Sequence, residues 1–203
     1  MEKFPKDEPN LGKKPPQYLT ETLNNVKMIA EVLNDIISEN LTQSPDIESD
    51  KTNQFDYFTC KKPPHISILK YLTRIVKYTR PEPSTIILAL ILIDSLTERQ
   101  DLQLTHLNIH RIILLSVVIA IKYNEDEYYS NSFYAKVGGI TLKEFNVLEY
   151  KFLYSLDFDL FIDEETFLKY KIYLENDGAN GNNDNIDDNE NNNNNTNDGN
   201  ELV

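Results

Sequence analysis

The segment that decides the fold spans residues 108–160 and reads NIHRIILLSVVIAIKYNEDEYYSNSFYAKVGGITLKEFNVLEYKFLYSLDFDL. Its apolar residues recur at helical spacing, but two charges occupy unusual positions. Lys122 ends an almost wholly apolar run, and Glu149 lies on the same helical stripe as Phe145 and Phe152. A charge on a buried stripe is costly unless it is paired and hydrogen-bonded. We therefore expect Lys122 and Glu149 to pair with each other, near a surface that a partner covers.

Charge is distributed unevenly along the 203 residues. The formal net charge is −13, but residues 175–203 carry eight Asp or Glu and no Lys or Arg. The rest of the chain therefore has 25 acidic against 20 basic side chains, a net charge of −5. A mildly acidic globule with an acidic end lacks the basic character of nucleic-acid binders, so we expect no nucleic-acid partner.

The cysteine content and the apolar runs indicate a compartment. The single cysteine, Cys60, excludes a disulfide within one chain and is typical of a reducing compartment. The N-terminal residues contain no apolar core of a signal peptide. The longest apolar runs, 86–93 and 112–121, are far shorter than the roughly 18 to 20 residues that span a bilayer. We expect no membrane partner and a nuclear and/or cytoplasmic location.

The apolar pattern divides the chain into five regions. Between residues 17 and 41, apolar residues recur at alternating steps of three and four, as on one face of a helix. Proline, asparagine and charged residues dominate the segments around it and the end of the chain. The predicted regions are a flexible lead-in (1–16), an amphipathic helix (17–41), a connector (42–64), a helical domain (65–174) and a disordered Asn/Asp-rich tail (175–203).

Prolines, glycines and capping residues divide residues 65–174 into helices, and little in this region is typical of a strand. We therefore predict an all-α fold. The expected boundary residues are Thr105, Thr141 and Asp163 as N-caps, the Gly138 and Gly139 pair as a turn, and Leu174 as the last helical residue.

The chain shows no enzymatic signature such as a phosphate-binding loop, a nucleophile elbow or paired CxxC motifs. His106 and His110, four residues apart, could bind zinc together with Cys60 and His65. The spacing is loose, and His106 in a first helical turn is typical of a solvent-facing residue. We therefore expect no metal site and no cofactor.

Four stretches narrow the choice among helical bundles: LIDSL (92–96), LNIHRIILLSVVIAIKYNED (107–126), YYSNSFYAKVGGIT (128–141) and FNVLEYKFLYSLDF (145–158). Together they resemble the cyclin box, and in particular the PHO-type (P/U-type) cyclins. The resemblance covers about residues 54–173 and extends weakly to the helix that begins at Gln17. It implies a single five-helix cyclin box with an extra N-terminal helix and a short C-terminal helix.

The resemblance also implies a function: a non-catalytic subunit that binds a cyclin-dependent protein kinase as a heterodimer and holds its αC helix in the active position. Lys122 and Glu149 match the family's kinase-contacting pair, and Arg74 and Asp94 match a buried ion pair between two helices. Glu125 matches a position that can face an arginine of the kinase activation segment. Residues that match the groove for the αC helix are Tyr123, Tyr150, Leu153, Phe158 and Leu160.

Two features of the sequence leave alternatives open. The first helix of the matching region reads ISILKYLTRIVKYT (66–79) and lacks the substrate-docking motif of many mitotic cyclins. The same fold also serves as an adaptor for non-kinase proteins, although such relatives typically have two boxes and a basic nucleic-acid face. The kinase, the cellular process and the role of the N-terminal helix are not specified by the sequence.

Overall fold

The computed structural model describes residues 16–44 and 56–180, and this part of the chain is helical with no strand. A short 3₁₀ turn occupies Asp56–Phe58. The α-helices are α1 (Pro16–Gln43), α2 (Ile68–Thr79), α3 (Pro83–Gln100), α4 (Ile109–Asn124), α5 (Asn131–Gly138), α6 (Leu142–Ser155) and α7 (Glu164–Asn180). The predicted all-α architecture is confirmed: α2 to α6 form the five-helix bundle, and α1 and α7 are the added helices.

Helix α4 is the centre of the bundle. Every residue from Ile112 to Ile121 is buried, because the apolar run leaves no polar face to turn toward solvent. The helix packs against α2, α3, α5 and α6. The hydroxyl of Ser116, buried in this run, donates to the carbonyl of Ile113 at 3.0 Å and so needs no partner from another helix.

Side-chain caps begin four helices of the described residues, with Ser67 at α2, Ser130 at α5, Thr141 at α6 and Asp163 at α7. Ser130 Oγ accepts the Phe133 N–H, and Asp163 Oδ1 accepts the Thr166 N–H at 2.8 Å. Thr141 Oγ1 accepts the Glu144 N–H at 3.1 Å. The Glu144 carboxylate does not complete a reciprocal capping box, since it pairs with Arg111.

The prediction that Thr105 caps the central helix is wrong. Helix α4 begins at Ile109, and Thr105 lies in the turn that precedes it. The Asn108 side chain closes this turn: its Oδ1 accepts the Thr105 N–H and its Nδ2 donates to the Gln103 carbonyl, both at 2.9 Å. The Thr105 hydroxyl caps only this turn, since its Oγ1 accepts the Leu107 N–H at 3.2 Å.

The added helices cover one side of the bundle. Helix α1 packs on α2 and α3, and α7 packs on α3 and α1. Asn40 Nδ2 anchors the end of α1 to the Leu104 carbonyl at 3.0 Å. Helix α7 continues to Asn180, beyond the predicted end at Leu174, because extending a formed helix costs far less than nucleating one. The predicted boundary at residue 175 therefore lies within a helix, and residues 181–203 lie outside the described residues.

Within the described residues, the helices are all too short or too polar to cross a membrane.

Replacing Gly138 by alanine is expected to destabilise the fold by about 1 to 3 kcal/mol, the usual cost of overpacking a core. A Cβ at Gly138 would lie 2.2 Å from Cδ2 of Leu114, which is itself buried in the bundle. Urea unfolding of the two proteins measures the difference. Gly139→Asn is the matched control: Gly139 has φ of 75° and open space at its Cβ, and asparagine tolerates that conformation. Equal loss in both variants would contradict the proposed clash.

Candidate functional site

The structure brings Lys122 and Glu149 together. Lys122 Nζ lies 2.6 Å from Glu149 Oε1, so the end of α4 is joined to the middle of α6. The side chains retain 26% and 15% of their exposure, respectively. The ion pair is therefore neither sealed in the core nor fully in solvent: it lies at the rim of the bundle, within reach of a partner.

Two asparagines complete the network around this pair. Asn131 Oδ1 accepts from Lys122 Nζ, and Asn131 Nδ2 donates to Glu149 Oε2 at 2.9 Å. The same Nδ2 donates to Asn146 Oδ1, also at 2.9 Å. The sequence reasoning missed both asparagines, since Asn131 next to a capping serine is typical of a helix start. The available signal for Asn131 was its place in the aromatic-rich run YYSNSFY (128–134).

The aromatic residues of that run fix the position of α5. Tyr129 stacks on Phe133 with ring centroids 4.1 Å apart, and Tyr134 stacks on Phe145 of α6 at 6.3 Å. Burial raises the pKa of the Tyr134 hydroxyl, which stays neutral and accepts the Tyr129 N–H at 3.0 Å. Because these rings hold α5 against α6, Asn131 is held beside the Lys122–Glu149 pair.

An exposed aromatic cluster follows the ion pair along α6. Tyr150 stacks on Tyr154 at 6.0 Å and meets Phe158 edge-on at 6.4 Å. All three side chains are more than half exposed. Aromatic residues are enriched at the core of protein interfaces, and a cluster of exposed rings is typical of a binding surface. The sequence predicted Tyr150 and Phe158 but not Tyr154, which the four-residue spacing from Tyr150 would have indicated.

The other predicted groove residues differ in exposure. Tyr123, one residue after Lys122, is 58% exposed. Leu153 and Leu160 are partly buried and pack against the core. The two leucines are therefore less accessible than Tyr123 and the aromatic cluster, which supply the exposed surface.

The turn after α6 holds Phe158 in an unusual conformation. Asp157 and Phe158 have φ of 52° and 57°, the left-handed region that few aromatic residues adopt. The Phe158 N–H donates to the Leu153 carbonyl at 2.9 Å, and Arg99 of α3 donates to the Leu156 carbonyl at 2.9 Å. Arg99 also pairs with Asp159 at 2.6 Å, which lowers the pKa of that carboxyl. These bonds stabilise a strained turn, and such strain is concentrated at functional positions.

Glu125 has a structural contact of its own. It follows the last residue of α4, and its Oε1 accepts the Glu82 N–H at 2.8 Å, at the start of α3. Asp126 and Glu127, which follow it, are exposed. The contact of Glu125 with a kinase arginine stays a prediction, and the carboxylate already stabilises the N-terminus of α3.

The predicted ion pair between Arg74 and Asp94 is wrong. Arg74 Nη2 donates to the Lys136 carbonyl of α5 at 3.3 Å, whereas the carboxylate of Asp94, which is exposed, accepts from the Tyr170 hydroxyl of α7. The two side chains leave their helices toward different neighbours. Each therefore fastens one end of the bundle separately, α2 to α5 and α3 to α7.

The histidines take separate structural positions. His106 is exposed, and His110 is buried with its Nε2 donating to the Ile66 carbonyl at 2.8 Å. Burial lowers the pKa of His110, so its ring is neutral near pH 7. Among the described residues, no three His, Cys, Asp or Glu side chains are arranged to hold a metal ion.

Comparison with known proteins gives one consistent result. A sequence model of the cyclin family matches residues 21–160, a range that includes most of α1. Cyclin-U3-1 of Arabidopsis thaliana is 36% identical over 169 residues, which cover 83% of this chain and 72% of the relative. Cyclin-U4-1 of the same plant is 44% identical over 115 residues, covering 56% and 57%. Cyclin-P3-1 of Oryza sativa subsp. japonica is 39% identical over 140 residues, covering 69% and 58%.

The chain thus spans between just over half and about three quarters of the length of these three relatives. The family match, which runs to residue 160, includes α4, α5 and α6, the helices that carry the Lys122–Glu149–Asn131 network.

Proposed function

This chain belongs to the cyclin family, among its P/U-type members, and we propose that it binds a cyclin-dependent protein kinase and activates it. Membership supports a regulatory role in general terms. The geometry of the site supports the choice of partner and the mechanism.

One observation carries the proposal: a half-buried ion pair lies at the rim of the bundle, next to an exposed aromatic cluster. Within the described residues, Lys122 Nζ donates to Glu149 and to Asn131, and an ammonium has three hydrogens. One donor is therefore left for a partner's backbone carbonyl. The Glu149 carboxylate accepts from two groups and keeps lone pairs for a partner's N–H.

The proposed mechanism is a population shift. An active kinase needs its αC helix inward, so that the αC glutamate pairs with the catalytic lysine. A partner favours this state only to the extent that it binds it better than the outward state. In the proposed complex, Lys122 and Glu149 hold the kinase main chain just before αC. The apolar face of αC packs in a groove formed by Tyr123, Tyr150, Leu153, Phe158 and Leu160, a helix-in-groove mode of recognition.

The proposal is tested by affinity purification of the tagged full-length chain from its native cells, followed by mass spectrometry and a kinase assay of the eluate. A cyclin-dependent kinase, with activity that depends on the chain, is the expected result. The same purification is repeated with Lys122→Ala, which should not recover the kinase. Lys169→Ala is the control for removing a lysine charge, since Lys169 lies on α7 in an exposed pair with Glu165. Recovery of a non-kinase protein that needs Lys122 would contradict the proposal and favour an adaptor.

Replacing Glu125 by glutamine tests its predicted part in kinase contact. We expect binding to weaken by about two- to fivefold at low salt and by less at high salt, since exposed pairs are worth about 0 to 1 kcal/mol and are screened. Glu82→Gln changes a neighbouring carboxylate on the same side of the molecule and is the matched control. Equal affinity of the Glu125→Gln variant and the parent at both salt concentrations would confine Glu125 to contacts within this chain.

A further inference from the structure

One segment of this acidic chain is strongly basic. Residues 60–81 contain six Lys or Arg and no Asp or Glu, whereas the remaining residues contain 14 against 33. Most of this segment is helix α2. Positions 70, 74 and 77 recur at steps of four and three, so Lys70, Arg74 and Lys77 lie on one side of α2, opposite its buried residues.

Lys136 of α5 extends this surface, because Arg74 Nη2 lies 3.3 Å from the Lys136 carbonyl. We call Lys70, Arg74, Lys77 and Lys136 the basic face. Lys70, Lys77 and Lys136 are exposed, and Arg74 is half-buried. Neither α2 nor α5 contains an acidic residue.

The basic face lacks acidic partners within the described residues. The ion pairs of this part of the chain use Arg99, Arg111, Lys122, Lys169 and Lys171, and none uses the basic face. Glu82, the first acidic residue after α2, contacts Glu125 through its backbone N–H, beyond the C-terminal end of α2. Four like charges without counter-charges repel one another, so an anionic partner would relieve the repulsion.

We propose that the basic face is a docking site for an acidic peptide and that the chain's own residues 181–203 occupy it. These residues contain six Asp or Glu and no Lys or Arg, the charge complement of the basic face. The proposal does not depend on the identity of the kinase or on the Lys122–Glu149 contact.

The position of α7 places this segment within reach. Leu174 and Glu175, near the end of α7, line the same groove of about 700 Å³ as Pro83 and Ser84. Pro83 begins α3 only three residues after Arg80, which ends α2. A flexible chain of 23 residues, the number in 181–203, would have a root-mean-square span of about 25 to 30 Å, and the 12-residue α2 is about 18 Å long. The tail can therefore lie along the basic face.

Docking of this kind is weak and reversible. Each exposed ion pair contributes little and is screened by salt. The covalent connection compensates, since it holds the acidic segment at an effective concentration on the order of millimolar.

Zero-length carboxyl–amine cross-linking of the full-length chain tests the docking directly. We expect cross-links from residues 181–203 to Lys70, Lys77 and Lys136 in preference to the control lysines Lys143 and Lys169, which are exposed on other helices. These cross-links should disappear in about 0.5 M salt, because the Debye length at that concentration is only about 4 Å. Mixing isotopically light and heavy protein separates docking within one chain from docking between copies. Cross-links spread evenly over all lysines, or formed mainly between copies, would overturn the proposal.

A competition measurement gives a second test. The six acids of residues 181–203 are replaced by Asn or Gln in the full-length chain, and a labelled peptide with the native sequence of residues 181–203 is titrated onto both proteins. We expect the neutralised variant to bind the peptide about tenfold more tightly than the parent, whose own tail competes at its effective concentration. Lys70→Glu with Lys77→Glu should abolish peptide binding, and Lys143→Glu with Lys169→Glu should not. Equal binding by the parent and the neutralised variant would show that the tail does not cover the face.

Discussion

Replacing Glu149 by alanine is expected to abolish recovery of the kinase with this chain. Glu149 keeps 15% of its side-chain exposure in the free chain, and a bound kinase would cover the rest. The substitution would leave the Lys122 ammonium in a desolvated interface without its counter-charge. Stranding one partner of a buried pair costs on the order of 3 to 5 kcal/mol, which corresponds to a loss of affinity of about 10² to 4 × 10³-fold. Titration of the purified kinase, monitored by its activity, measures this loss.

The control for this prediction separates binding from folding. A charge swap, Lys122→Glu with Glu149→Lys, can rebuild an ion pair between α4 and α6, so a purely structural pair would be rescued. A kinase main chain offers a carbonyl to one side chain and an N–H to the other, and the swap reverses both. We therefore expect the swapped variant to regain its thermal stability and not its kinase binding. Restored kinase binding in the swapped variant would show that the pair acts only within the bundle.

The second large effect is expected at the aromatic cluster. Tyr150→Ala with Phe158→Ala should weaken kinase binding by about 30-fold or more, since interface hot spots are worth 2 kcal/mol or more and are rich in aromatic residues. Both side chains are more than half exposed in the free chain, so truncation removes little core packing. The melting temperature should therefore shift by only a few degrees. Affinity and thermal unfolding of the same preparation give the two quantities.

Ile172→Ala is the matched control for the aromatic cluster. Ile172 is 54% exposed on α7, outside the proposed groove, and its truncation should change neither affinity nor stability. A loss of affinity at Ile172 equal to that at the aromatic cluster would place the kinase elsewhere on the surface. Unfolding of the Tyr150/Phe158 variant would instead assign these rings to the stability of the turn after α6.

The features that the sequence predicted depend on residues close to each other along the chain, or on the large free-energy cost of burying an unpaired charge. The apolar run of α4 has no polar face, so its burial follows from the composition alone. Asp163 caps the residue three positions on, a contact that sequence spacing determines. The pairing of Lys122 with Glu149 was predictable because a charge on an apolar stripe is costly without a counter-charge.

The features that the sequence did not predict depend on the arrangement of whole helices. Arg74 and Asp94 carry opposite charges, but α5 and α7 offer each of them a closer partner. Asn131 reaches the Lys122–Glu149 pair because Tyr134 of α5 stacks on Phe145 of α6 and holds the two helices together. Helix α7 passes its predicted end, because the low helix propensity of its last residues is a weak local preference.

The most direct test of the central claim is a structure of this chain bound to the cyclin-dependent kinase that co-purifies with it. We predict that Lys122 Nζ and the Glu149 carboxylate lie about 3 Å from a backbone carbonyl and an N–H just before the kinase αC helix, a normal hydrogen-bond distance. The αC helix should contact Tyr150 and Phe158 and be turned inward. A kinase bound to another face, with Lys122 and Glu149 still open to solvent, would contradict the account.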